Sequence, residues 1–380
     1  MEDIKQFRNE IDEIDGQLTA LFCKRMQVSE KVAEYKKSKG LPVLDATRER
    51  ELLNKIHESV GEEFGQYARI LYNTIMSLSR SYQSKKLQND TPLIKSIENA
   101  IENTPHLFPQ KAKVACQGIE GAYSQKACDK LFILPSVEFV PTFENVFEKV
   151  ENGECEYGIV PLENSTAGSV NQTYNLLTKH DFYIVRSLKM QINHSLLAPK
   201  GTKIEDVKEI FSHEQAINQC SEFIRSLKGV KVTVCANTAI SAQKVASMGR
   251  KDVCAIASSD CASAYGLDII KNKIANTDNN FTKFICISKN LQIYPGANRT
   301  SIVLSTPNRP GALYGVLSRL TALGINVIKL ESRPIEGRDF EFAFYFDLDV
   351  SVYSPSFLQL ISEMERDVDG FRYFGSYSEN

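Results

Sequence analysis

Apolar side chains recur at Ile4, Phe7, Ile11, Ile14, Leu18, Leu21, Val28, Val32 and Tyr35, the alternating three- and four-residue spacing of a heptad seam. The spacing predicts one unbroken helix over residues 4–36, and at ~1.5 Å per residue it runs close to 50 Å. A helical segment of under about 90 residues cannot bury so long a stripe by folding on itself. A second copy of the chain is the simplest cover, so the seam predicts a helical dimer. Asp45 ahead of Thr47-Arg48-Glu49-Arg50-Glu51-Leu52-Leu53 reads as the N-cap of a second helix, and residues 67–87 carry a third.

The period then changes twice along the 380 residues, a length that calls for two or three cores. Residues 89–111 place Pro92, Pro105 and Pro109 among polar side chains and read as a linker, with at most a short helix over 93–101. From Lys113 onward, β-branched runs such as Lys113-Val114-Ala115-Cys116 and Tyr157-Gly158-Ile159-Val160 each precede a polar turn and a helical pattern. That alternation predicts a mostly parallel sheet covered on both faces, with its ligand crevice beyond the strand ends. From Thr300 the pattern is strand (301–305), helix (311–323), strand (326–333), a tight Glu336-Gly337-Arg338 turn, strand (340–348), helix (355–367) and strand (371–377). This βαββαβ order is that of a ferredoxin-like α+β sandwich.

Forty-five Lys and Arg against 47 Asp and Glu leave a net charge of −2, which gives no general field for nucleic acid or an anionic membrane. Selectivity for anions must come from individually placed cations and helix N-termini. The acidic start Met1-Glu2-Asp3-Ile4 lacks the basic region of a secretory signal, and no apolar run reaches the ~18–20 residues of a membrane span. Nine scattered cysteines without a C-x-x-C pair suit a reduced, cytoplasmic protein. The five histidines are not clustered, so a protein-held metal is not expected.

Within the seam, the position filled by Ile11, Leu18 and Val32 is occupied once by Arg25. A guanidinium costs several kcal/mol to bury unless it is paired. Either a protein acid or a ligand must supply the partner. Arg8 and Lys36 flank the seam on the same side, Arg48 and Glu49 open the next helix, and Ser79 and Gln83 share a face four residues apart. Arg8 and Arg25 are 17 positions apart, about 25 Å along a helix, so both can touch one small dianion only if Arg8 comes from an antiparallel second copy.

Arg8, Arg25, Lys36, Asp45-x-x-Arg48-Glu49 and Ser79-x-x-x-Gln83 together resemble the all-helical chorismate mutase domain, over residues 1–88. The resemblance implies a cofactor-free Claisen rearrangement of chorismate to prephenate. It places Arg8, Arg25 and Arg48 on substrate carboxylates, Lys36 and Gln83 at the breaking ether oxygen, and Glu49 on the ring hydroxyl, with Asp45 and Ser79 completing the chorismate site. Guanidiniums clamp carboxylates bidentately, and donors aimed at the ether oxygen stabilise charge that grows in the transition state.

Four polar clusters sit where helices begin after strands: Gly121-x-Tyr123-Ser124, Glu163-Asn164-Ser165-Thr166-x-Gly168, Ser212-His213-Glu214-Gln215 and Asn237-Thr238. Any one could simply cap its helix; together they point to one lined cleft. The runs Pro161-Leu162-Glu163-Asn164-Ser165-x-x-Gly168, Ser212-His213-x-Gln215 and Asn280-Phe281-Thr282-Lys283-Phe284 are similar to the prephenate dehydratase motifs, over residues 112–288. The resemblance implies a bilobal α/β domain that turns prephenate into phenylpyruvate, water and carbon dioxide, with the hydroxyl of Thr282 as the catalytic donor. It places Tyr123, Ser124, Glu163, Asn164, Ser165, Thr166, Ser212, His213, Gln215, Thr282, Lys283 and Phe284 about prephenate. Where the family has Thr-Arg-Phe, this chain has Lys283, which keeps the charge and loses the planar fork. Lys283 therefore either clamps a carboxylate more weakly or only braces Thr282.

Asn308-Arg309-Pro310-Gly311-Ala312-Leu313 and Glu331-Ser332-Arg333-Pro334 resemble the Gly-Ala-Leu and Glu-Ser-Arg-Pro motifs of the ACT regulatory domain, over residues 298–380. The resemblance implies phenylalanine held between paired ACT domains by Asn308, Gly311, Ala312, Leu313, Glu331, Ser332, Arg333 and Pro334. From its sequence setting alone, Gly311 is equally a helix cap. The order mutase, dehydratase, ACT is that of the bifunctional enzymes of phenylalanine biosynthesis. It implies a feedback-inhibited homodimer or homotetramer in the cytoplasm, acting on chorismate and prephenate and binding neither nucleic acid nor membrane.

Overall fold

The computed structural model describes residues 4–86, 91–335 and 341–380, and the chain divides into two compact units: residues 1–99 with 299–373, and residues 100–298 with 374–380. In the first unit, α1 (Ile4–Lys39) packs on α2 (Ala46–Lys86). α2 breaks at Gly61, whose φ of 73° is open to glycine at little cost, into the second and third helices that the sequence predicts, and the Glu49–Arg80 pair joins the two arms. The predicted end of the third helix at Leu87 lies outside the described residues. Two small residues, Ser29 and Ala33, are the buried positions of α1. The heptad seam is left uncovered within the chain: Ile11 is 55% exposed, Leu18 54% and Leu21 64%.

The expected linker is largely helical. α3 (Pro92–Asn103) is longer than the short helix anticipated at 93–101 and buries Ile94, Ile97 and Ala100. Pro92 is no breaker there, because the first helical turn needs no N–H from it, and Thr91 Oγ1 accepts from Ile94 N at 3.4 Å.

The second unit has two lobes. The first is built on β1 (Lys111–Gln117), α4 (Tyr123–Leu131), β2 (Leu134–Val140), α5 (Phe143–Glu151), β3 (Tyr157–Asn164), β4 (Gly168–Ser169), α6 (Asn171–Lys179) and β5 (Tyr183–Gln191). The second holds β6 (Ser195–Ala198), β7 (Glu209–Ser212), α7 (Glu214–Gln219), α8 (Ser221–Ser226), β8 (Lys231–Val234), α9 (Thr238–Met248), β9 (Val253–Ala257), α10 (Asp260–Tyr265) and β10 (Asp268–Lys271). The chain then returns to the first lobe as β11 (Phe281–Ser288), giving sheets ordered β2-β1-β3-β11-β5 (with β4 on β3) and β10-β6-β9-β7-β8.

The expectation of a mostly parallel sheet needs correction. β1 is parallel to β2 and β3, and β7 to β8 and β9, but β11 is antiparallel to β3 and β5, and β6 to β9 and β10. The cause is the double crossing: the chain leaves the first lobe by β5 and re-enters by β11, so these neighbours run in opposite directions.

β12 (Arg299–Thr306), α11 (Ala312–Ala322), β13 (Asn326–Pro334), β14 (Phe342–Asp349), α12 (Pro355–Asp367) and β15 (Arg372–Tyr377) form a sheet ordered β13-β14-β12-β15. This is the ferredoxin-like arrangement expected; the Glu336-Gly337-Arg338 turn lies outside the described residues. α2 packs against α11 and α12 through a buried polar cluster, in which Ser81 Oγ donates to Glu363 Oε1 at 3.0 Å and Gln359 Nε2 donates to Ser81 O at 2.9 Å and to Glu363 Oε1 at 2.8 Å. No helix among the described residues is long and apolar enough to cross a membrane.

Candidate active sites

In the helical segment, Arg25 lies half-buried beside the exposed seam, and its guanidinium donates to the buried hydroxyl of Ser79 on α2. Burial lowers its pKa, opposed by the nearby Tyr72 and Glu49. Among the described residues no carboxylate lies within ion-pair distance of it, because Glu49 is paired with Arg80. Of the two partners left open by the sequence, a neighbouring acid is therefore not the one seen. A cation whose hydrogen bond goes to a neutral hydroxyl, set beside apolar surface, suits an anionic ligand.

One turn beyond Ser79, Gln83 is buried and its Oε1 has no hydrogen-bond partner among the described residues. Lys36 Nζ donates to Val43 O. Asp45 Oδ1 accepts from Arg48 N at 3.0 Å, which makes it the N-cap of α2. Arg48 is exposed and 3.6 Å from Glu51, and Arg8 is exposed near the start of α1. The chain thus brings Arg25 to Ser79 and Glu49 to Arg80, the next residue along α2, with Gln83 one turn beyond Ser79. Arg80, the partner of Glu49, went unmarked because it neighbours Ser79 in sequence and cannot share its helix face.

In the α/β unit the hub is Asn164 at the end of β3. Its Nδ2 donates to Asn280 Oδ1 at 2.8 Å and to Thr282 Oγ1 at 2.9 Å, while its Oδ1 accepts from Thr166 Oγ1 at 2.7 Å and from the backbone N–H groups of Thr166 and Ala167. Since Thr282 Oγ1 accepts from an amide, its own proton remains available to a ligand. Gln219 extends the network: its Oε1 accepts from Asn280 Nδ2 at 3.0 Å and lies 2.9 Å from His194 Nε2, and its Nε2 donates to Thr166 Oγ1 at 2.7 Å. That pattern assigns the proton of His194 to Nε2. Burial holds His194 below its ordinary pKa, partly offset by the Gln219 bond, and Nδ1 has no hydrogen-bond partner among the described residues. Tyr123 packs edge-on to His194 and donates to Asn193 O at 2.6 Å. Ser165 Oγ ties Asn279 O to Phe281 N, at 2.8 and 2.9 Å.

Other expected residues make local contacts. Ser124 is buried in α4, and Phe284 is 3% exposed within the core that includes Phe132 and Leu188, so Phe284 is core and not cleft lining. Ser212 Oγ is spent on Ile256 O at 2.7 Å. His213 Nδ1 caps α7 by accepting from Gln215 N at 3.2 Å. Glu163 lies opposite Ser169 and Lys283 in the ladder. Lys283, expected on the substrate, is 3.5 Å from Glu379 instead, because alternation along β11 turns it away from the face of Thr282. Asn280, Gln219 and His194 were not singled out as site residues. Asn280 could have been, since it opens the Asn-Phe-Thr run, whereas Gln219 carries no local signal.

In the ferredoxin-like segment, Gly311 takes φ of 81° directly before α11, with Ala312 and Leu313 half-buried behind it and Asn308 exposed ahead of it. Glu331, Ser332, Arg333 and Pro334 close the edge strand β13, where Glu331 and Arg333 are half-buried and Ser332 and Pro334 exposed. Ile328 and Leu330 on the same strand are 48% and 39% exposed.

Three family models match the chain in order: chorismate mutase type II over residues 7–84, prephenate dehydratase over 114–292 and the ACT domain over 300–352. The chloroplastic arogenate dehydratase/prephenate dehydratase 2 of Arabidopsis thaliana is 33% identical over 313 residues, covering 78% of this chain and 81% of its own length. The bifunctional chorismate mutase/prephenate dehydratase of Escherichia coli strain K12 is 28% identical over 384 residues, covering 98% of this chain and 96% of its own. The crystal structure of prephenate dehydratase from Arthrobacter aurescens in complex with L-Phe superposes with a TM-score of 0.63 at 25% identity, covering 70% of this chain and 90% of that one. The chain belongs to the prephenate dehydratase family, in the bifunctional form that places a chorismate mutase domain ahead of the dehydratase and an ACT domain after it, as an enzyme of phenylalanine synthesis.

Proposed function

We propose that chorismate is rearranged against α1 and α2, with Arg25 gripping one carboxylate and Arg8 of an antiparallel second copy gripping the other. Gln83 and Lys36 donate to the breaking ether oxygen, and Glu49, steadied by Arg80, accepts from the ring hydroxyl. The reaction is pericyclic and needs no base or nucleophile; holding the compact conformer and stabilising the growing negative charge on oxygen lower the barrier. The observation that carries this reading is the half-buried guanidinium of Arg25, bonded among the described residues only to a hydroxyl, beside an exposed apolar seam.

Prephenate then loses its ring carboxylate and hydroxyl in the cleft. The electron pair of the departing carbon dioxide enters the ring, the C–O bond breaks, and the leaving oxygen takes a proton and departs as water. Thr282, whose Oγ1 is held by Asn164, donates to that oxygen. Phenylalanine binds where Gly311 and Leu313 meet the end of β13. The L-Phe complex of the Arthrobacter relative supports phenylalanine as the ligand, and the exposed edge strand supports a pairing of two such domains. The oligomer is a homodimer or homotetramer, for which the exposed seam speaks, and nine free cysteines fit a cytoplasmic setting. Incubation of the protein with chorismate, with and without phenylalanine, tests the whole: phenylpyruvate must form, and phenylalanine must suppress it. Persistence of chorismate would overturn the reading.

A further inference from the structure

β11 carries Thr282 and, next along, Lys283, so the two side chains leave opposite faces of the sheet. On its face Lys283 stands directly across the ladder from Lys189 of β5. Like charges so placed destabilise a strand pair, and Lys283, only 13% exposed, needs a counter-charge. Glu163 stands across the ladder from it on β3, and residues 378–380 bring a second carboxylate from the β5 side. Ser187 N donates to Ser378 O at 3.1 Å, Asn380 N donates to Ser187 O at 3.0 Å, and Lys189 N donates to Asn380 O at 3.1 Å, so this segment runs parallel along the outer edge of β5. Glu379 thereby reaches within 3.5 Å of Lys283 Nζ, and the ring of Tyr377 lies 5.7 Å from the same ammonium.

β11 needs support at this point. Its pairing with β3 slips between Lys283, opposite Glu163, and Phe284, opposite Pro161, so Leu162 is the extra residue of a bulge one position from Thr282. The ladder that would fix the Thr282 hydroxyl is irregular beside it, and the ion pair braces the strand from the other face.

We propose that Glu379 is a positioning residue of the dehydratase: through Lys283 it fixes β11 and so aims the Thr282 hydroxyl. The proposal rests on Thr282 being the donor in dehydration. The test uses the full chain, with prephenate turnover, mutase turnover and thermal midpoint measured for Glu379→Gln, Glu379→Asp, Lys283→Glu and the reversed pair Lys283→Glu/Glu379→Lys. Loss of a part-exposed ion pair predicts that Glu379→Gln lowers the dehydratase kcat about three- to tenfold with KM little changed. Glu379→Asp recovers part of the loss, the reversed pair exceeds Lys283→Glu alone, the mutase rate stays at wild type, and the midpoint falls by no more than about 2 °C, as for a part-exposed ion pair. An unchanged kcat, a rise in KM alone, or a kcat lost in step with the midpoint and not recovered by the reversed pair overturns the proposal. Thr282→Ala in the same series separates the two levels. If it still dehydrates prephenate, the donor reading falls; if it is dead while Glu379→Gln is normal, only the positioning role falls.

Discussion

Arg25 and Thr282 share a logic: each is held by a neighbour that leaves its functional capacity unspent. Ser79 accepts from Arg25 without neutralising it, and Asn164 donates to Thr282 without taking its proton. At ~1.5–3 kcal/mol for a hydrogen bond to a charged group, Arg25→Ala should lower mutase kcat/KM by about 10- to 150-fold, and Arg25→Lys should recover only part, for want of the planar fork. Loss of chorismate absorbance measures this, and dehydration of added prephenate should be unchanged. Thr282→Ala should instead let prephenate accumulate from chorismate without phenylpyruvate.

His194 gives a pH prediction. Its folded pKa is depressed by burial, so its stabilising contribution is complete above the ordinary histidine pKa of about 6.5 and is lost as pH falls toward the lowered folded value. His194→Gln should flatten the acid limb of the thermal midpoint against pH; an unchanged limb contradicts the buried neutral ring. At this scale the sequence disclosed residues whose chemistry is local, such as the misplaced cation at 25 and the cap at 45. Adjacency in a motif hid the strand alternation that turns Phe284 into the core and left both roles of Lys283 open, and Gln219 lies far from the motif runs in sequence.

Among elements, the periodic ones were legible and the junctions were not. The heptad of α1 and the βαββαβ order follow from period alone. The full helix at Pro92–Asn103 and the antiparallel β11 depend on what each segment meets after the chain has turned. The same holds for the buried cluster joining α2 to α12. Burial raises the pKa of Glu363 there, opposed by its bonds from Gln359 and Ser81. Its favourable contribution is therefore present below the ordinary carboxylate pKa and is lost as pH rises through the raised folded value. Glu363→Gln keeps an acceptor for Ser81 and Gln359 while removing the charge. It should raise the thermal midpoint at pH 8 by about 2–4 °C and leave it unchanged at pH 4. A lower midpoint at pH 8 would show that the charge is needed, by Arg319 among others.

For the whole molecule, the deepest consequence of the sequence is that a single chain leaves its first helix half-dressed. Ile11, Ile14, Leu18 and Leu21 stay exposed while Ser29 and Ala33 are buried and Arg25 and Glu30 bond to Ser79 and Tyr82 of α2. A second copy covering that seam would also bring Arg8 to the far Arg25. Leu18→Glu should therefore dissociate the seam in sedimentation and abolish mutase turnover while sparing dehydration of prephenate. The most direct measurement mixes two inactive proteins. Arg8→Ala and Arg25→Ala, unfolded together and refolded at equal concentration, should recover about a quarter of the wild-type mutase rate, because half of the dimers are mixed and each mixed dimer has one intact site. A mixture as inactive as its two components, or an Arg8→Ala protein that is fully active alone, would contradict a chorismate site shared between two chains.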